Sequence, residues 1–111
     1  MKAAASGLLL IALAAPGLSA AQESPSEVSD AEIARYKATV QKICRDASMA
    51  RGDPQVQTDA FCNCMLGTLE KSMKRPEWQQ AYFYSLKNRE SDEQEVVAPH
   101  LGRLEACRPK G

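Results

Sequence analysis

Four cysteines carry most of the chemistry available to this 111-residue chain. Cys44, Cys62, Cys64 and Cys107 follow a C-x17-C-x-C-x42-C spacing. An even cysteine count in a short exported chain reads first as two disulfides. Three pairings are formally open, and helix geometry disfavours one of them. Residues two apart on a helix point about 200° apart, so Cys62 and Cys64 splay toward different neighbours. In a helical hairpin centred on Asp53, positions 44 and 62 lie opposite each other. That makes Cys44–Cys62 with Cys64–Cys107 the preferred set, while a centre on Pro54 selects Cys44–Cys64 with Cys62–Cys107. Each bridge would contribute about 3 to 4 kcal/mol in the chain-entropy model, which rivals the whole net stability of a small domain.

Cys62-Asn63-Cys64 also admits two sharper readings. A strained C-x-C disulfide is oxidising and could exchange with substrate thiols. The same pair could bind Cu(I), with Met49, Met65 and Met73 as soft thioethers. Against this, Met65 and Met73 already fit an apolar helix stripe, and Met is a common gap-filler. Neither C-x-x-C nor C-x-x-C-H occurs. Two further cysteines standing ready as partners favour stapling, so no metal and no cofactor is expected.

Other candidates for chemistry have simpler explanations. His100 is the single histidine and reads as a half-exposed helix residue after Pro99. A Cys–His pair would need a free thiol, and zinc would need more ligands than disulfides leave. Asp92, Glu93 and Glu95 collect at a predicted helix start, and Lys71, Lys74 and Arg75 at a predicted helix end, where the macrodipole favours each sign. No glycine-rich phosphate loop occurs. Arg51-Gly52-Asp53 reads as a helix stop followed by an N-cap at Asp53, and not as an adhesion motif. The aromatic side chains are more suggestive. Trp78, Tyr82, Phe83 and Tyr84 supply four of the six aromatics within seven residues. One small core cannot bury them all, so at least one should be exposed or covered by a neighbouring helix, and exposed Trp and Tyr are favoured partner anchors.

The elements that position these residues are helices. Ser29 and Glu32 form a capping box, with Val28 and Ile33 as its hydrophobic staple. Ile33, Tyr36, Val40, Ile43, Cys44 and Ala47 then follow helical spacing on one face. Gly52 stops this helix. A second runs from about Pro54 or Thr58 to Lys74, with Phe61, Cys62, Met65, Leu66, Leu69 and Met73 on its apolar face. Gly67 inside it costs about 1 kcal/mol relative to Ala and suggests a close helix crossing. Pro76 opens a third helix ending near Asn88. Ser91 with Gln94 suggests a capping box for a fourth, which Pro99 should kink or split. The expected fold is therefore all-α, a small bundle of four or five short helices stapled by two disulfides.

Residues 1–21 read as a cleaved export signal. Lys2 is followed by the nine-residue apolar run 7–15 and a helix-breaking Pro16-Gly17. Small residues at Ser19 and Ala21 suit cleavage after Ala21, with Ala20 as the alternative. The apolar run is about half of the roughly 20 residues needed to span a bilayer. Residues 22–28 read as a flexible tether and 29–111 as one domain. Without Lys2 the mature chain has a net charge of −1, so nothing draws it to nucleic acid or to anionic membrane. The expectation is a periplasmic or secreted, non-enzymatic protein with no stable membrane anchor after cleavage. Its partner would be another protein, in an accessory, inhibitor-like or immunity-like role. The alternative is a thiol-redox or copper-binding protein built on Cys62-Asn63-Cys64.

Overall fold

The computed structural model describes residues 23–108. The export signal and both cleavage positions lie outside the described residues. Four α-helices carry the chain: α1 (Asp30–Ala50), α2 (Gln55–Ser72), α3 (Arg75–Leu86) and α4 (Glu90–Leu101). A 3-10 turn (Pro25–Glu27) precedes them and a 3-10 helix (Gly102–Cys107) follows. No strand occurs among the described residues, and none of their helices is long and apolar enough to cross a membrane.

The first helix starts as its sequence dictates. Ser29 Oγ accepts from the Glu32 amide at 3.1 Å, and the Ser29 amide donates back to Glu32 Oε1 at 2.8 Å. Both orphan donors of the first turn are thereby satisfied. Gly52 ends α1 with φ +89°, a conformation open to glycine because it carries no Cβ. The reversal that follows differs from expectation. Pro54, not Asp53, holds the N-cap position of α2 and makes no side-chain cap bond. The Asp53 carboxylate turns back instead to Ser48 Oγ at 2.6 Å and Arg51 at 3.1 Å.

Within the segment read as a tether, the chain is already folded from Ser24. Ser24 caps the 3-10 turn, and Val28 is 1% exposed. The Gln79 side-chain amide donates to the Val28 carbonyl at 3.0 Å, which ties the turn to α3. Composition missed this because one buried valine outweighs five polar neighbours when a helix is present to cover it.

α1 and α2 form an antiparallel hairpin, and α3, α4 and the terminal 3-10 helix pack across one side of it. Ile33, Tyr36, Leu69, Met73, Trp78 and Phe83 form the centre of the core, with Val28 and Ala81. The covered part of the hairpin is its base, where Ile33, Tyr36, Leu69 and Met73 are buried. Ile43 and Ala47 continue the stripe begun by Ile33, Tyr36 and Val40, yet Ile43 is 62% exposed and Ala47 is exposed too.

Two smaller expectations also change. A Cβ built on Gly67 would meet nothing within 4 Å, so no close crossing occurs there. Ser91 lies inside the first turn of α4 and does not cap it; Arg89 is the N-cap and makes no side-chain cap bond. The turn is set one step earlier by Asn88 at φ +57°, a left-handed position that Asn tolerates. Pro99 sits within α4, whose regular α-helix ends two residues later and tightens into the 3-10 helix.

Candidate functional site

Both disulfides are closed in the preferred pairing. Cys44 and Cys62 bridge α1 to α2 with Cα atoms 5.9 Å apart, and Cys64 and Cys107 bridge α2 to the terminal 3-10 helix at 5.6 Å. The C-x-C thus sends its two sulfurs to opposite neighbours, as the helical period requires. Cys62 is wholly buried and Cys64 lies at the surface. No free cysteine remains. Among the described residues, no three His, Cys, Asp or Glu side chains gather closely enough to hold a metal ion. Paired disulfides of this kind belong in an oxidising, extracellular-type compartment.

α3 divides its aromatics between core and surface. Trp78 and Phe83 are buried, at 4% and 8% exposure, while Tyr82 and Tyr84 are half-buried. Tyr36 of α1 stands edge-on to Trp78 at 6.1 Å and to Tyr82 at 5.7 Å. Lys37 lies over the Trp78 ring at 4.8 Å and Arg89 over the Tyr84 ring at 4.7 Å. Trp78 and Phe83 therefore have no face to offer a partner. Tyr84 borders a shallow acidic pocket with Glu77, Asp92 and Glu95. The Tyr36 hydroxyl donates to Glu93 Oε2 at 2.5 Å. Burial first, and the neighbouring carboxylate second, push its phenol far above the usual range, so it stays a donor.

The tip of the hairpin is polar inside and apolar outside. Ser48 and Thr58 are buried, and their hydroxyls meet at 2.9 Å between α1 and α2. The single Ser48 proton goes to Asp53, so Thr58 donates to Ser48. The Ser48 hydrogen bond, with help from Arg51, holds the Asp53 carboxyl below the usual carboxylate range. Arg45 and Asp59 bridge the same two helices at 2.9 Å, and the Gln41 amide donates to Asn63. On the outside, Ile43, Met49 and Val56 are 62%, 55% and 80% exposed. Of these only Ile43 lies on an apolar stripe legible in the sequence.

No family model, no curated protein and no solved structure matches the chain.

His100 departs most from its sequence reading. Its side chain is only 12% exposed, and both ring nitrogens are engaged. Nδ1 lies 2.5 Å from Ser72 Oγ at the end of α2, and Nε2 lies 3.0 Å from Glu77 Oε2 in the first turn of α3. Glu77 Oε1 also accepts from the Lys74 amide at 2.9 Å. That amide first, and His100 second, hold the Glu77 carboxyl below its usual range. An ionised Glu77 accepts from Nε2–H, which leaves Nδ1 to accept from the Ser72 hydroxyl when the ring is neutral. The relay joins α2, α3 and α4 through residues 28 and 23 positions from His100. No local motif could have disclosed it.

Proposed function

We propose that this protein is an exported, non-enzymatic helical module that binds another protein through the tip of its α1–α2 hairpin. The observation that carries this reading is the concentration of Ile43, Met49 and Val56, all more than half exposed, on an arm locked by a buried-sulfur disulfide. Large apolar side chains on a rigid support lose little conformational freedom on binding, and such preorganisation raises affinity. The role is accessory, inhibitor-like or immunity-like. The aromatic surface contributes at most Tyr82 and Tyr84, because Trp78 and Phe83 are core. Export by residues 1–21 to the periplasm or beyond is part of the same proposal, supported by the two disulfides.

Thiol-redox or copper chemistry draws less support. Each cysteine of the C-x-C is bonded to a different helix, so no dithiol is poised there.

A photo-crosslinking residue placed at position 56, in the cell that exports the protein, tests the reading against the same residue placed at position 35. A discrete adduct from 56 alone, lost when Ile43→Asp is added, is the expected result. Equal adducts from both positions, or none, would reject the tip as the binding surface.

A further inference from the structure

Ser72 is both the end of the His100 relay and part of the wall of a surface pocket of about 500 Å³. The rest of that wall is Thr68, Lys71, Lys74, Arg103 and Ala106. Half of the lining residues are cations and none is acidic. Lys71 and Arg103 form no ion pair among the described residues, and Lys74 has only the attraction of the Glu77 carboxylate, whereas Lys37, Lys42, Arg45, Arg51, Arg75 and Arg89 each hold a carboxylate within 3.3 Å. Three cations are therefore gathered at one pocket, from the end of α2, the start of α3 and the terminal 3-10 helix.

We infer that this pocket binds the phosphate group of a small phosphate monoester, taken up together with a proton held by the Ser72–His100–Glu77 relay. A phosphate dianion offers acceptor oxygens to three cations and to the hydroxyls of Thr68 and Ser72. The pocket is larger than one phosphate, so it has room for the group to which the phosphate is attached.

The proton follows from hydrogen-bond direction. With His100 neutral, the Ser72 hydroxyl donates to Nδ1 and presents only lone pairs to an anion. With His100 protonated, Nδ1–H donates to Ser72 Oγ, and the Ser72 hydroxyl is free to donate to phosphate. Glu77 accepts from Nε2–H on the α3 side, and Asp92 and Glu95 border the acidic pocket beyond it. Lys71, Lys74 and Arg103 line the other side, where the anion would sit. Because the Ser72 hydroxyl is free to donate to an anion only when Nδ1 carries a proton, anion and proton each strengthen the other's binding.

Calorimetry on the disulfide-intact protein with glycerol 3-phosphate, at fixed ionic strength and in buffers of different ionisation heat, tests this. The expected result is saturable binding of the dianion with net proton uptake at neutral pH. Arg103→Gln and Lys71→Gln, at exposed and unpaired positions, should each weaken it about ten-fold without changing the melting temperature. Ser72→Ala should abolish the proton uptake while weak binding persists. Absence of saturable binding, equal competition by chloride, or proton uptake unchanged in Ser72→Ala would overturn the inference. Capture by vesicles containing phosphatidic acid, without binding of glycerol 3-phosphate, would overturn the soluble monoester as ligand.

Discussion

At the base of the α1–α2 hairpin, Ile33 and Tyr36 meet Leu69 and Met73 beneath Trp78 and Phe83, and all six are buried. At its tip the buried groups are Ser48, Thr58 and Cys62, while Ile43, Met49 and Val56 face out. One pair of helices is thus held by two kinds of force. The base gains from apolar area removed from water, a non-directional effect that tolerates imperfect fit. The tip depends on a covalent bridge and on directed hydroxyl–carboxylate bonds, which hold one geometry and lose most when a partner is removed. Apolar side chains that face out from the arm do not help hold its two helices together. The bridge and the polar seam supply rigidity in their place.

Four variants would break or sharpen this contrast. Trp78→Ala should have the largest effect, about 3 to 5 kcal/mol from lost transfer energy and the cavity left behind. Chemical denaturation should show the whole domain destabilised, because α3 touches α1 and the N-terminal turn through this core. Cys44→Ser with Cys62→Ser should cost about 3 kcal/mol for a loop of this length. Here hydrogen exchange should rise mainly in residues 41–64 and leave the base protected. Uniform exchange across both regions would mean that base and tip form one cooperative unit.

Ser48→Ala should come next, at about 1 to 2 kcal/mol for the buried hydroxyl left without its partner at Thr58. It should also change the acid response. Asp53 titrates below its usual range in the fold, so its stabilisation is present above the unfolded value and fades as pH falls through the folded one. Removing Ser48, the main cause of that depression, should flatten this part of the acid-unfolding profile. A profile as steep as before would shift the cause to Arg51. Val56→Asp should be smallest, within about 0.5 kcal/mol as for other exposed positions. A large drop in melting temperature would mean that the residue is part of a folding contact and not a free surface.

Much of the fold was legible along the chain. The Ser29–Glu32 box, the Gly52 stop and the opposite splay of Cys62 and Cys64 all rest on interactions within a few residues. The pairing itself was only preferred, because a one-residue change in the centre of the reversal selects Cys64 instead of Cys62, and the bridges span 18 and 43 residues. Caps were less secure where a competing local partner existed: Asp53 preferred Ser48 and Arg51 to the α2 amides, and Asn88 set the turn that Ser91 was expected to set. All four aromatics of the cluster lie in the core or packed against it, and periodicity could not say that Trp78 and Phe83 would be the buried pair.

The sequence by itself determined that the chain is helical, where its helices begin and end to within a few residues, and that its cysteines staple rather than pair within the C-x-C. These are consequences of the helical period and of turn chemistry, which act over short separations. Only the tertiary structure decided that the stripe on α1 loses its cover at Ile43, because that depends on where the other helices pack along the hairpin. Likewise, only it brought Ser72 and Glu77 to the two nitrogens of His100. Those contacts join three helices, and their existence depends on how the helices cross, which no single stretch of sequence encodes.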